Sequence, residues 1–294
     1  MIRSLWVVLI TAAACLPAIA EESAEVTRAF GVHAHGQMHY RIARPDTATQ
    51  TPLMCLHMSP SSGRIYHQLL RDMGRDRIAI APDTPGFGES DPPAEPPEIA
   101  DYARANFGLL DQLGIEGPVD VMGYHTGSLT AMEMARQQPE RIRRLVLVSA
   151  AMFTPEEFAQ MKVEFAPRPL HEDGQHLVDL WLELRHWRDP QQSLEETQWN
   201  FAEHLRGGQT AWWGHRAAFN YPRGDVLPTL TQPILVLNPE DDLYDYTLRA
   251  AAKLQNGRVH NLPGWSHGFL DIHTAEVAAL LLSLIHISEP TRPY

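Results

Sequence analysis

A histidine framed by glycines, Gly123-Tyr124-His125-Thr126-Gly127, stands between an apolar, β-rich run at 119–122 and a helical pattern reaching about residue 138. Where a strand turns sharply into a helix the backbone is crowded, and small residues let such a turn present one side chain at the sheet's edge. That side chain then lies over a helix N-terminus, whose free amides and dipole favour developing negative charge. Neutral imidazole is a competent nucleophile near neutral pH, and its acyl and phosphoryl adducts hydrolyse readily. Other stretches carry reactive types as well: His57-Met58-Ser59-Pro60, Pro239-Glu240-Asp241-Asp242 and Gly264-Trp265-Ser266-His267. No Gly-rich nucleotide loop, Cys-x-x-Cys pair or flavin signature occurs, so neither a cofactor nor a dedicated metal centre is expected.

These residues need elements to position them. Short apolar runs alternate with helical patterns, which predicts an α/β fold with a mostly parallel sheet flanked by helices. Strand-like runs fall at 54–56, 78–81, 119–122, 145–148 and 234–237, the last leading into the Asp241-Asp242 pair. Ile99, Ala103, Phe107, Leu110 and Leu113 mark one face of a helix over 99–113. Residues 152–226 are helical, broken by prolines, and hold five of the seven tryptophans. They read as a helical insertion between two strands, either an ordinary aromatic core or a cap lining an apolar pocket. His33, His35 and His39 lie near an N-terminal strand and read as a solvated polar face.

Four landmarks in one order make the chain from about residue 30 to 281 resemble the α/β-hydrolase family. His57-Met58-Ser59-Pro60 stands where that family has its His-Gly oxyanion loop, and Asp83-Thr84-Pro85-Gly86-Phe87-Gly88-Glu89-Ser90 matches its Asp-x-Pro-Gly-x-Gly-x-Ser turn. Gly123-x-His125-x-Gly127 occupies the nucleophile elbow, and His267 matches the terminal histidine. The resemblance implies the backbone N–H groups of Ser59 and Thr126 as oxyanion donors, with Met58 replacing the family's glycine. It places the acid at Asp242, with Asp241 close behind, and makes His267 the base this acid orients. It also implies a cap, with Met58, Tyr124, Trp181 and Trp212 as pocket-lining candidates.

The departure is His125, because the family carries Ser, Cys or Asp there; in its dehalogenase-like branch an aspartate attacks unaided. Four readings stay open. His125 is a covalent nucleophile with His267–Asp242 activating water, or it is a general base in non-covalent lyase or proton-transfer chemistry. Alternatively, His125, His267 and Asp242 form a two-histidine, one-carboxylate metal site, or the nucleophile is lost and the domain only binds. Ser128 and Thr126 read as first residues of the following helix rather than displaced nucleophiles.

Composition narrows the partners. Twenty-four basic against 36 acidic residues give a net charge of −12, and no long basic cluster occurs, which argues against nucleic acid and for a small-molecule substrate. Residues 1–20 read as a secretory signal, with Arg3, an apolar stretch from Leu5 to Leu16, and Ala18-Ile19-Ala20 as the cleavage site. The mature domain, 21–281, is then expected in the periplasm or outside the cell and off the membrane, the alternative being a lipid anchor at Cys15. The run from Leu282 to Arg292 resembles a translated sequencing adapter, so 282–294 reads as a non-native tail.

Overall fold

The computed structural model describes residues 23–287. Among the described residues eight strands form one sheet: β1 (Val26–His33), β2 (Gly36–Ala43), β3 (Leu53–Leu56), β4 (Ala79–Pro82), β5 (Val119–Tyr124), β6 (Ile142–Val148), β7 (Ile234–Pro239) and β8 (Gly257–Leu262). Their order across the sheet is β1-β2-β4-β3-β5-β6-β7-β8. β1 pairs antiparallel with β2, and β2 with β4; every other pairing is parallel. The fold class expected from the alternation of runs is the one observed.

The central strands are buried on both faces, which is why their sequences are continuously apolar rather than alternating. Successive side chains still point to opposite sides. Met54, Leu56, Val121, Leu145, Leu147, Ile234 and Val236 pack on one face with α2 (Ile99–Gln112) and α3 (Thr126–Gln137). Leu53, Cys55, Met122, Val146, Val148, Leu235 and Leu237 pack on the other, where α1 (His67–Met73), α10 (Phe269–Ile272) and α11 (Thr274–Ile287) cover them. Cys55 is a buried free thiol. β8 has no continuous apolar run, because an edge strand carrying Arg258, His260 and Asn261 leaves half of its residues exposed.

Between β6 and β7 the chain forms α4 (Pro155–Glu164), α5 (Gln175–Trp187), α6 (Leu194–Arg206), α7 (Trp213–Asn220) and α8 (Arg223–Val226). Thr154 and Ser193 begin α4 and α6 with reciprocal side-chain caps, each bonding the third helical amide while a glutamate returns the bond. α9 (Tyr244–Leu248) follows β7.

One expectation is corrected here. His39 is not solvated: its ring is buried and its Nδ1 sits 2.8 Å from Asp83 Oδ2. Asp83 also accepts from the Gly63 and Glu89 amides, so the Asp-Thr-Pro-Gly turn is folded around this carboxylate. Burial opposes the Asp83 charge, but the His39 hydrogen bond and neighbouring donors hold its pKa below the ordinary carboxylate value. At the other end α11 runs through Ile287, with Leu281 and Leu284 buried against the core. Residues 1–20 and the last part of the adapter-like stretch, 288–294, lie outside the described residues. Among the described residues no helix is long and apolar enough to cross a membrane.

Candidate active site

His125 sits where β5 turns into α3, with φ 46° and ψ −106°, a strained backbone for a residue with a side chain. The turn is held from below. His125 N–H donates to Val148 O, and Ser128 Oγ bridges to both Gly123 O and Val148 O. Ser128 is therefore spent on tying β5 to β6 and is no displaced nucleophile.

Two carboxylates following β7 meet two imidazoles. His125 Nε2 donates to Asp241 Oδ2 at 2.9 Å, and His267 Nε2 donates to Asp242 Oδ1 at 2.9 Å. The rings lie edge to face with centroids 5.3 Å apart. Sequence reasoning gave Asp242 to His267 but left Asp241 without a partner; the structure gives it to His125. Asp241 is fixed further by Ser149 Oγ at 3.0 Å and the Leu243 amide at 2.9 Å. Among the described residues His125 Nδ1 has no hydrogen-bond partner, and the ring is 16% exposed. His267 differs, since its Nδ1 lies 3.2 Å from the Tyr124 hydroxyl.

Electrostatics separate the groups. Burial works against a charge on His267, yet the Asp242 hydrogen bond and the charges of Asp242 and Asp241 outweigh it and raise its pKa. Burial likewise works against a charged Asp242, and the two imidazoles reverse this and hold it below the ordinary range. Tyr124 is pushed well above the ordinary phenol value by burial and by Asp241 and Asp242, so it stays protonated. One ligand atom each from His125, Asp241, Asp242 and His267 lies within 4.8 Å of every other, close enough for one cation to reach all four.

The Ser59 and Thr126 amides, assigned as oxyanion donors by resemblance, have no acceptor among the described residues. His57 is structural: its Nδ1 donates to Met58 O at 2.7 Å and its Nε2 accepts from the Thr84 amide at 2.8 Å. The pocket candidates fare unevenly. Met58 is half-buried against the core. Tyr124 is only 1% exposed, because a strand residue just before the turn points inward; it stacks beneath His267 and meets Phe269 at a tilt. Trp181 packs edge-on against Phe201 inside the helical insertion, and no ring contact joins Trp181 or Trp212 to His125 or His267 among the described residues.

What the insertion brings instead went unnoticed in the sequence. His215, on α7, hydrogen-bonds the Ser59 backbone and lies within electrostatic reach of His125 and Asp242; His204, on α6, lies within such reach of His267. Both are driven by burial to a pKa of about 4, so both are neutral in the folded protein near pH 7. An unfolded chain binds these two protons between pH 6.5 and 4 and the folded one does not. Stability must therefore fall as pH drops through that window and level off below it, by roughly 3 kcal/mol per histidine at most. Melting temperatures from pH 7 to pH 4 check this, and His215→Gln should flatten the profile.

Asp189 was likewise missed, since one carboxylate after a helix carries no motif. It is fully buried, accepts from the Ser266 amide at 3.3 Å and the Gln191 amide at 2.9 Å, and lies 3.3 Å from His273 Nε2. Around it the chain pairs with the His267 loop: His267 N–H donates to Trp187 O and Asp189 N–H to His267 O. Asp189 thus positions His267 from the insertion. Asp189→Asn leaves a buried amide donor against the Ser266 N–H, and is expected to lower kcat about tenfold, with little change in KM, and to cost about 1–3 kcal/mol of stability. Steady-state kinetics beside chemical denaturation would show both.

The chain belongs to the α/β hydrolase fold family, whose model matches residues 51–274, and it is an enzyme of that hydrolase superfamily. A 2-hydroxymuconate semialdehyde hydrolase from Pseudomonas is 34% identical over 110 residues, 36% of this chain and 38% of that protein. A poly(3-hydroxyalkanoate) depolymerase from Ectopseudomonas oleovorans is 25% identical over 254 residues, 82% of this chain and 87% of that protein. Among solved structures, a thermophilic esterase from Thermogutta terrifontis shares the fold, with a TM-score of 0.70 and 19% identity over 90% of this chain and 98% of that one.

Proposed function

We propose that this hydrolase cleaves a small, partly apolar ester or related acyl compound with His125 as the nucleophile. One observation carries the reading: His125 Nε2 is committed to Asp241, while Nδ1, on the strained turn, has no partner among the described residues. An attacking aspartate on such a turn would present an oxygen at the same δ level. Asp241 accepts the Nε2 proton, which keeps the lone pair on Nδ1.

The step balances as follows. Nδ1 forms a bond to the acyl carbon, and the carbonyl π pair moves to oxygen, held by the Ser59 and Thr126 amides. The intermediate expels the alkoxide, which takes a proton from His267. Water then attacks acyl-His125 and returns a proton to His267; the C–N bond breaks and its pair goes back to Nδ1. Ester and water become acid and alcohol. The esterase and depolymerase names among the similar proteins support ester chemistry, and the aromatic insertion supports an apolar substrate. A leader-like start at 1–20 supports export to the periplasm or beyond, and the Leu282 to Arg292 match supports a non-native tail.

Rapid quenching with a slow chromogenic ester, followed by peptide mass spectrometry, should find the acyl group on His125. An unlabelled His125 during burst-phase turnover would remove covalent catalysis and leave the general-base reading.

A further inference from the structure

We infer that His125, Asp241, Asp242 and His267 also form a binding site for one divalent cation of the zinc class. This does not rest on the hydrolytic reading, because it follows from where four donor atoms lie. Bonds of about 2.1 Å to nitrogen and oxygen put tetrahedral ligands roughly 3.4 Å apart; here the two bonded pairs stand at 2.9 Å, and one ligand atom from each of the four residues lies within 4.8 Å of the others. Small rotations close the cage. A cation takes the place of each Nε2 proton, and the imidazole stays neutral by carrying its proton on Nδ1 instead; each histidine already turns Nε2 to a carboxylate of the cluster.

Donor chemistry selects the ion. Two neutral imidazoles and two carboxylates make a site of charge −2, which a dication neutralises in a partly buried setting. Mixed nitrogen and oxygen donors favour zinc, cobalt(II) or nickel(II) over calcium or magnesium, which take all-oxygen shells, and over copper(I), which favours thiolates. The ligands come from the ends of β5, β7 and β8, so the sheet fixes their spacing. Outer contacts are in place as well: Ser149 Oγ and the Leu243 amide hold Asp241, and the Tyr124 hydroxyl meets His267 Nδ1.

Titrating the chelator-treated full chain with cobalt(II) should produce ligand-field absorption that saturates at one equivalent and is displaced by zinc. His125→Ala and Asp241→Asn should each weaken binding by about a hundredfold, and Ser149→Ala by about tenfold. Folding of each variant is verified by circular dichroism. A His35→Ala/His176→Ala variant, which alters the exposed His33–His35 and His171–His176 pairs, should bind as the parent does. Absent ligand-field bands, or binding unchanged in both His125→Ala and Asp241→Asn, would overturn the site. Ester turnover read alongside separates the two proposals. Activity that survives chelation and is inhibited by zinc upholds both, whereas activity lost on chelation and restored by zinc upholds the cation site and refutes metal-free attack by His125.

Discussion

His125→Ala is expected to lower kcat/KM for a chromogenic short-chain ester by about a thousandfold or more while leaving the melting temperature within a few degrees of the parent. On the proposed mechanism the activity loss follows from removing the reacting atom, since taking away a nucleophile would leave only the proposed oxyanion donors and substrate binding. The small stability effect follows from position: the ring is partly exposed and makes one charged contact, and alanine relieves none of the backbone strain. Asp241→Asn should be milder, about a hundredfold, because the imidazole stays but its tautomer is no longer enforced. The paired measurements decide the role of His125. If His125→Ala retains more than a tenth of parental activity, His125 is not the reacting group. If Asp241→Asn matches the parent, the Asp241 contact has no catalytic meaning.

Gly127→Ala should be strongly destabilising. A Cβ at Gly127 would stand 2.0 Å from Leu56 O and 2.8 Å from His57 O, both main-chain atoms of the segment that leads to Ser59. Neither can yield without moving β3 or the oxyanion loop, so the clash must be relieved by displacing the turn itself. The expected cost is about 3–5 kcal/mol, with a melting temperature lower by roughly 10 °C. Gly108→Ala is the control: that glycine lies inside α2, nothing lies within 4 Å of its missing Cβ, and the exchange should stabilise by about 0.5–1 kcal/mol. Denaturant unfolding of both variants measures the contrast; a Gly127→Ala cost below 1 kcal/mol would mean the turn is far more pliable than its geometry indicates.

Much of this was legible before any coordinates. Local rules write the strands β3 to β7 plainly, because a strand buried on both faces must be apolar throughout, and α2 because one face of a helix must be. The glycines of the turn and the trio His125, Asp242 and His267, which the fold brings together, stand in ordered motifs. Edge strands escape such rules: β8 needs few apolar residues. His39 was misread for a related reason, since polar type suggests solvent unless a distant partner, here Asp83, is known.

The amino-acid order by itself determined the architecture and named three of the four side chains at the centre, because backbone sterics and burial act over a few residues at a time. Tertiary structure alone decided that Asp241 belongs to His125, that Tyr124 lies buried under His267, and that Asp189, His204 and His215 reach the site from the insertion. These are pairings across tens to more than a hundred residues, and nothing in the local pattern fixes the angle at which one loop meets another.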